Sequence, residues 1–153
     1  MMTEIEAAWV AGLIEGEGCI SFPNTGSKGY KYYTVRVTVT NTDPRLLIRL
    51  RNLVGGSIYP HSAKRKKSAW QWWIGGKNVL PFLAQIQPYL IGKREQADVA
   101  IAAAAIKLSR SNVHQNNKIK QHQAWLSRRL QELKHELPSL ADVEMDTTLN
   151  PTM

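Results

Sequence analysis

Cysteine is almost absent from this chain: Cys19 stands alone among 153 residues. A single thiol cannot close an internal disulfide, and a metal–thiolate cluster needs several, so neither stabilises this protein; a reducing, intracellular setting is the expectation. Also missing is any apolar run long enough to span a bilayer. The start, MMTEIEAAWVAGLIEG, places acids ahead of its apolar run. That order is opposite to a secretory or transit peptide, and a soluble protein with no membrane partner is expected. Acids, in turn, are scarce where bases are dense. Residues 28–67 hold ten Lys or Arg against Asp43 alone, whereas residues 1–27 hold four acids and no Lys or Arg.

The net charge of +8 is therefore concentrated in one segment. A concentrated basic stretch points to a polyanion, most often nucleic acid; the plain alternative is a solvated basic surface. At 43% hydrophobic, the chain has enough apolar residues for one domain and not comfortably two. The expectation is a single domain over residues 1–137, followed by an acidic, polar, frayed tail over 138–153.

The basic segment alternates. In YKYYTVRVTVTN, Tyr33, Val35, Val37 and Val39 fall on one side and Tyr32, Thr34, Arg36, Thr38 and Thr40 on the other, which predicts a strand with one apolar and one hydrogen-bonding face. CISF with PNTGSKG supplies the strand before it, and GSIYPHSAKRKKSAWQWWIGG reads as a second hairpin turning at Lys64–Lys67. Two hairpins make a four-stranded antiparallel sheet. Three tryptophans in four positions, Trp70, Trp72 and Trp73, break the alternation and leave their faces open. Helices flank the strands. Asp43 as N-cap, Pro44 at the first turn, the Leu46, Leu47, Leu50, Leu53 and Val54 stripe and Gly55 as terminator bound one. KNVLPFLAQIQPYL is a short helix kinked or begun at Pro81, KREQADVAIAAAAIKLSR a longer one, and KIKQHQAWLSRRLQELKHEL an amphipathic one. The order is helix, two strands, helix, two strands, helices.

The first helix poses a problem. Glu15 and Glu17 stand among three glycines where the helix should end, and an anion there loses a few tenths to about 1 kcal/mol against the helix dipole. A bound cation would offset that cost, and so would a turn exposing both carboxylates to water. Ala8, Gly12 and Gly16 fall four apart, a stripe of small residues suited to close helix packing, either on the chain's own sheet or on a second copy.

Val10–Gly18, VAGLIEGEG, resembles the LAGLIDADG motif of homing endonucleases, with Val for the first Leu and Glu for both Asp. The resemblance continues through the hairpins, TNTDPRLLIRLRNLVGGSI and LAQIQPYLIGKREQADV. It implies an α+β, αββαββα fold whose sheet lies along the major groove of double-stranded DNA. With one motif, the chain resembles the homodimeric members, which bind palindromic or nearly palindromic sites. The interface would involve Ala8, Ala11, Gly12, Ile14, Glu15 and Gly16. Glu17, at the second acid of the motif, is similar to the family's direct metal ligand, with Gly16 beside it; Glu15 ranks below. Lys93 resembles the lysine near the catalytic water, and Asn41 and Arg45 fall near the polar residues that organise that water.

The implied reaction is Mg²⁺-assisted phosphodiester hydrolysis in both strands, leaving 3′ overhangs. Mn²⁺ is expected to substitute, Ca²⁺ to bind without supporting cleavage, and no organic cofactor is implied. Expected DNA contacts are Ser21, Asn24, Lys28, Tyr32, Thr34, Arg36, Thr38, Thr40, Tyr59, His61 and Gln71, with Lys64, Arg65, Lys66 and Lys67 adding salt-sensitive phosphate contacts. His61 and His114 lack partners at metal-ligand spacing; His61 is read as a DNA-face residue and His114 as a loop residue. Cys19 is read as a small core residue. The rival readings keep the fold without this cleavage: an intron RNA maturase or a DNA-binding regulator. An unrelated RNA-binding module would lack its usual aromatic signatures here.

Overall fold

Helix α1, Glu4–Glu17, is started by Thr3: the Glu6 amide donates to the Thr3 hydroxyl (3.2 Å) and the Thr3 amide to the Glu6 carboxylate (2.8 Å). The protein is seen here as a computed structural model describing residues 1–25, 32–61, 68–108 and 117–145. The element order after α1 is β1 Gly18–Ser21, β2 Arg36–Asn41, α2 Pro44–Val54, β3 Ser57–His61, β4 Ala69–Gly75, α3 Val79–Ile86, α4 Arg94–Leu108, α5 Asn117–Leu133 and α6 Leu140–Glu144. The αββαββα expectation holds. The four strands form one antiparallel sheet in the order β1-β2-β4-β3, so each hairpin is intact and β2 and β4 join at the centre.

Period-two patterning decides which face is buried. Ile20, Val35, Val37, Val39, Trp72 and Ile74 turn to the core, joined there by Val10 and Ile14 of α1, Leu47 and Leu50 of α2 and Phe82, Leu83 and Ile86 of α3. Burying each large apolar side chain contributes about 1.5–3 kcal/mol, enough to fix the strand register, since a one-residue slip would turn all of them to water. Trp72 is fully enclosed, and its indole N–H donates to the Gly55 carbonyl at 2.8 Å. The loop must pass close by: a Cβ on Gly56, at φ +87°, would meet Trp72 Nε1 at 2.5 Å.

Details depart from the sequence reading. The second strand is regular only from Arg36, with Tyr33 held back to Asn24 by an isolated bridge. Helix α3 starts at Val79, and Pro81 sits in its first turn, where a missing N–H costs nothing. A 3-10 turn, Gln87–Tyr89, follows it. The expected tail contains α6, capped by Ser139, whose hydroxyl accepts from the Asp142 amide at 3.2 Å. Among the described residues no helix is long and apolar enough to cross a membrane. Lys28, Lys64, Arg65, Lys66, Lys67 and His114 lie outside the described residues.

Candidate active site

The motif helix ends at Gly18, whose extended backbone leads directly into β1. Only glycine fits this exit. A Cβ on Gly18 would stand 2.7 Å from the Ile14 carbonyl oxygen and 2.8 Å from Ile14 Cα. The carbonyls freed at the helix end are gathered by a cation from far along the chain. Lys93 Nζ donates to the carbonyls of Ile14 (2.7 Å), Glu15 (2.7 Å) and Gly18 (2.8 Å). An ammonium has three hydrogens, so all are engaged, and its charge sits at the negative end of the helix dipole. Burial pushes the Lys93 pKa below the usual lysine value, while the Glu15 carboxylate, more strongly than the other nearby groups, works in the opposite direction.

The two acids therefore have different environments. Glu15 Oε1 accepts from the amides of Ile91 (2.6 Å) and Lys93 (3.2 Å), fastening the turn ahead of α4 to the end of α1. Glu17 is exposed and, among the described residues, has no hydrogen bond or ion pair. Gly16 beside it is also exposed, and its carbonyl is not among those taken by Lys93. No group of three metal-ligating side chains occurs among the described residues. An exposed carboxylate next to the Gly16 carbonyl is the kind of oxygen donor set a cation such as Mg²⁺ would accept, since it keeps several waters and relies on substrate phosphates rather than a full protein cage.

The expected interface residues divide. Ala8 and Gly12 are exposed in line with Gly16, whereas Ala11 and Ile14 have no exposed surface. With no exposed surface, Ala11 and Ile14 are core residues of this chain and are corrected out of the expected interface, because they have no surface left to offer a second copy. A Cβ on Gly12 or Gly16 would meet nothing within 4 Å, so nothing among the described residues requires glycine there.

Asn41 closes β2, and its side-chain oxygen accepts from the Asp43 amide at 2.8 Å. Because Gly18 pairs with Val39, this end of β2 lies beside the end of α1. Arg45 is paired with Asp43: its Nη2 is 2.6 Å from Asp43 Oδ2, and its guanidinium is largely in solvent. The hydrogen bonds from the Arg45 side chain, then from its amide, hold the Asp43 carboxyl at about 2.

The open face of the sheet is assembled in rows. One row runs Cys19, Thr38, Trp73, Ser57; another Ser21, Arg36, Gly75; a third Thr40, Gln71, Tyr59, with His61 beyond. None of these residues is buried. Gln71 Nε2 donates to Thr40 Oγ1 at 3.1 Å, so that pair is already oriented. Thr34 is half-buried just before β2, and Asn24 and Tyr32 lie in the segment before it, joined by a hydrogen bond from the Tyr32 amide to the Asn24 side chain at 3.0 Å.

Cys19 is corrected: it is exposed on this polar face, because Ile20 takes the core position opposite Val37. The tryptophans also separate, with Trp72 in the core and Trp73 on the polar face, while Trp70 shares Trp72's side at the strand end and stays 36% exposed. Two further residues escaped the sequence reading. Trp73 lies beneath the Arg36 guanidinium, 5.2 Å from ring centroid to Cζ. Lys134, just past α5, donates to Cys19 Sγ at 3.4 Å, which brings a base two positions from Glu17. Parity about Ile74 was a signal for Trp73; nothing local signalled Lys134.

No match was found among curated protein sequences. Among solved structures the chain is similar to the homing endonuclease I-CvuI in complex with the I-CreI target in the presence of Mg, its DNA not cleaved (TM-score 0.73, 21% identity, 98% of each chain covered). It is similar to the archaeal intron-encoded homing endonuclease I-Vdi141I complexed with DNA (TM-score 0.73, 14% identity, 90% of this chain and 89% of that one). With the LAGLIDADG meganuclease I-CpaMI bound to uncleaved DNA, 87% of this chain matches 51% of that chain (TM-score 0.56, 19% identity). The fold is thus that of homing endonucleases. The LAGLIDADG endonuclease profile matches residues 10–96, more than half of the sequence and the whole path from the motif helix through the sheet to Lys93; the chain belongs to the LAGLIDADG endonuclease family.

Proposed function

We propose that this protein is a site-specific, homodimeric endonuclease that cuts both strands of a long, nearly palindromic DNA site with Mg²⁺ and leaves 3′ overhangs. The observation that carries the reading is Glu17: an exposed carboxylate with no hydrogen bond or ion pair among the described residues, at the end of the motif helix and beside the open sheet face. The exposed Ala8, Gly12 and Gly16 stripe gives a second copy a place to pack, bringing its Glu17 close by two-fold symmetry. Glu17 and the Gly16 carbonyl would hold a divalent cation such as Mg²⁺, which would supply positive charge for acidifying water and neutralising phosphate.

The chain's own residues perform the rest. Lys93 and Glu15 hold the helix end rigid, so that Glu17 projects from a fixed base. Asn41 stands at the same end of the sheet to orient water. Ser21, Asn24, Tyr32, Thr34, Arg36, Thr38, Thr40, Tyr59, His61 and Gln71 meet base edges and sugar–phosphate, and the lysines and arginines at Lys28 and Lys64–Lys67 contact phosphates. The test is cleavage of a randomised palindromic DNA library in Mg²⁺, in Ca²⁺ and in EDTA. Mg²⁺-dependent double-strand cuts at one long site, abolished by Glu17→Gln with binding retained, are expected. Selective binding without cuts in any metal would move the assignment to a regulator or maturase.

A further inference from the structure

Arg36 is the first residue of β2, on the open face. Its strand is an inner one, with β1 on one side and β4 on the other, so Arg36 has a neighbouring strand on each side. Its cross-strand partners are Ser21 and Gly75, both small, which leaves room for the half-buried arginine to lie across the row toward Trp73. Its guanidinium is laid over Trp73, with Cζ 5.2 Å from the ring centroid. The indole is itself fitted against Gly75, where a Cβ would stand 3.0 Å from Trp73 Cζ3. Arg36 Nε is enclosed and, among the described residues, has no hydrogen-bond partner. The donors left for a ligand are the Nη1 and Nη2 pair.

A planar, permanently charged fork, stacked so that its rotamer is fixed in advance, matches one base-pair feature in a major groove: the O6 and N7 acceptors of guanine. Phosphates run along the groove walls, where edge strands and turns reach them, whereas the inner strands of a groove-facing sheet face base edges. We propose that Arg36, oriented by Trp73 and by the gap at Gly75, is the guanine-reading residue of this sheet. The inference rests on the DNA-binding half of the proposed function and not on cleavage.

The experiment is selection by binding, in Ca²⁺, from a randomised duplex library, with the full chain as wild type, Arg36→Ala, Arg36→Gln and Trp73→Leu. Wild type is expected to select one position as guanine. Arg36→Ala should lose about tenfold to hundredfold of discrimination at that position alone, the range a bidentate contact provides. Arg36→Gln should shift the preference there toward adenine, and Trp73→Leu should weaken the guanine preference without changing its identity. Thermal melts and low-salt binding to random DNA verify that each variant is folded. Selected sites whose guanine preference is untouched by Arg36→Ala would overturn the inference while leaving DNA recognition in place. Equal affinity of the wild type for all sequences would overturn both. Selective binding without Mg²⁺-dependent cleavage would leave the Arg36 inference standing and remove only the nuclease reading.

Discussion

Substituting the two neighbouring acids of the motif should have opposite consequences. Glu15 accepts two amide hydrogens, from Ile91 at 2.6 Å and Lys93 at 3.2 Å, and its charge lies beside the Lys93 ammonium. A hydrogen bond to a charged group contributes about 1.5–3 kcal/mol; with one bond long and the other open to water, the pair together contributes about 2–3 kcal/mol. Removing an anion from a helix C-terminus returns about 0.3–1 kcal/mol. Glu15→Ala should then cost about 2 kcal/mol, a fall in Tm of about 4–8 °C for a chain of this size. Glu17 has no hydrogen bond or ion pair to lose among the described residues, only a weaker electrostatic interaction with Lys93, so Glu17→Ala should leave Tm nearly unchanged. Thermal and urea unfolding measure both. Amide hydrogen exchange adds a local readout, because Ile91 and Lys93 should lose protection in Glu15→Ala and keep it in Glu17→Ala. Equal melting of Glu15→Ala and wild type, or an equal loss in both variants, would refute the division of roles.

Gly18→Ala should be among the most damaging substitutions in the motif, because its Cβ meets backbone atoms of Ile14 that cannot rotate away; a loss of about 3 kcal/mol in urea unfolding, or failure to fold, is expected. Gly12→Leu should leave the protomer's melting intact, since the space around it is open, while converting a dimer to a monomer in sedimentation. A monomeric wild type would contradict the interface. Acid should loosen the start of α2. Asp43 is held at about 2 against an ordinary 3.8, so its contribution is present above 3.8 and is lost as pH falls toward 2. Asp43→Asn should flatten the dependence of Tm on pH within that window.

The sequence alone determined the element order, since strand and helix periods, Asp43–Pro44 and Gly55 are local signals set by backbone sterics and by which side of each element is apolar. It also determined the basic character of the sheet segment and the motif at Val10–Gly18. Where one local pattern allowed two arrangements, it was silent or misleading. Trp72 and Trp73 are chemically alike, and only pairing with Val39 and Thr38 assigns one to the core and the other to the open face. Ala11 and Ile14 were legible as small and apolar, but α1 is apolar on two sides and only packing against the sheet shows which is inward. Cys19 lies in a strand of four residues, too short to reveal its parity. The answer to why two carboxylates end the motif helix was least accessible, because Lys93 is 78 residues from Glu15 in sequence. Tertiary structure brings that ammonium onto the helix carbonyls and ties Glu15 to the turn before α4, while Glu17 stays exposed with no hydrogen bond among the described residues. No local propensity encodes such contacts; they exist only when distant segments share one core.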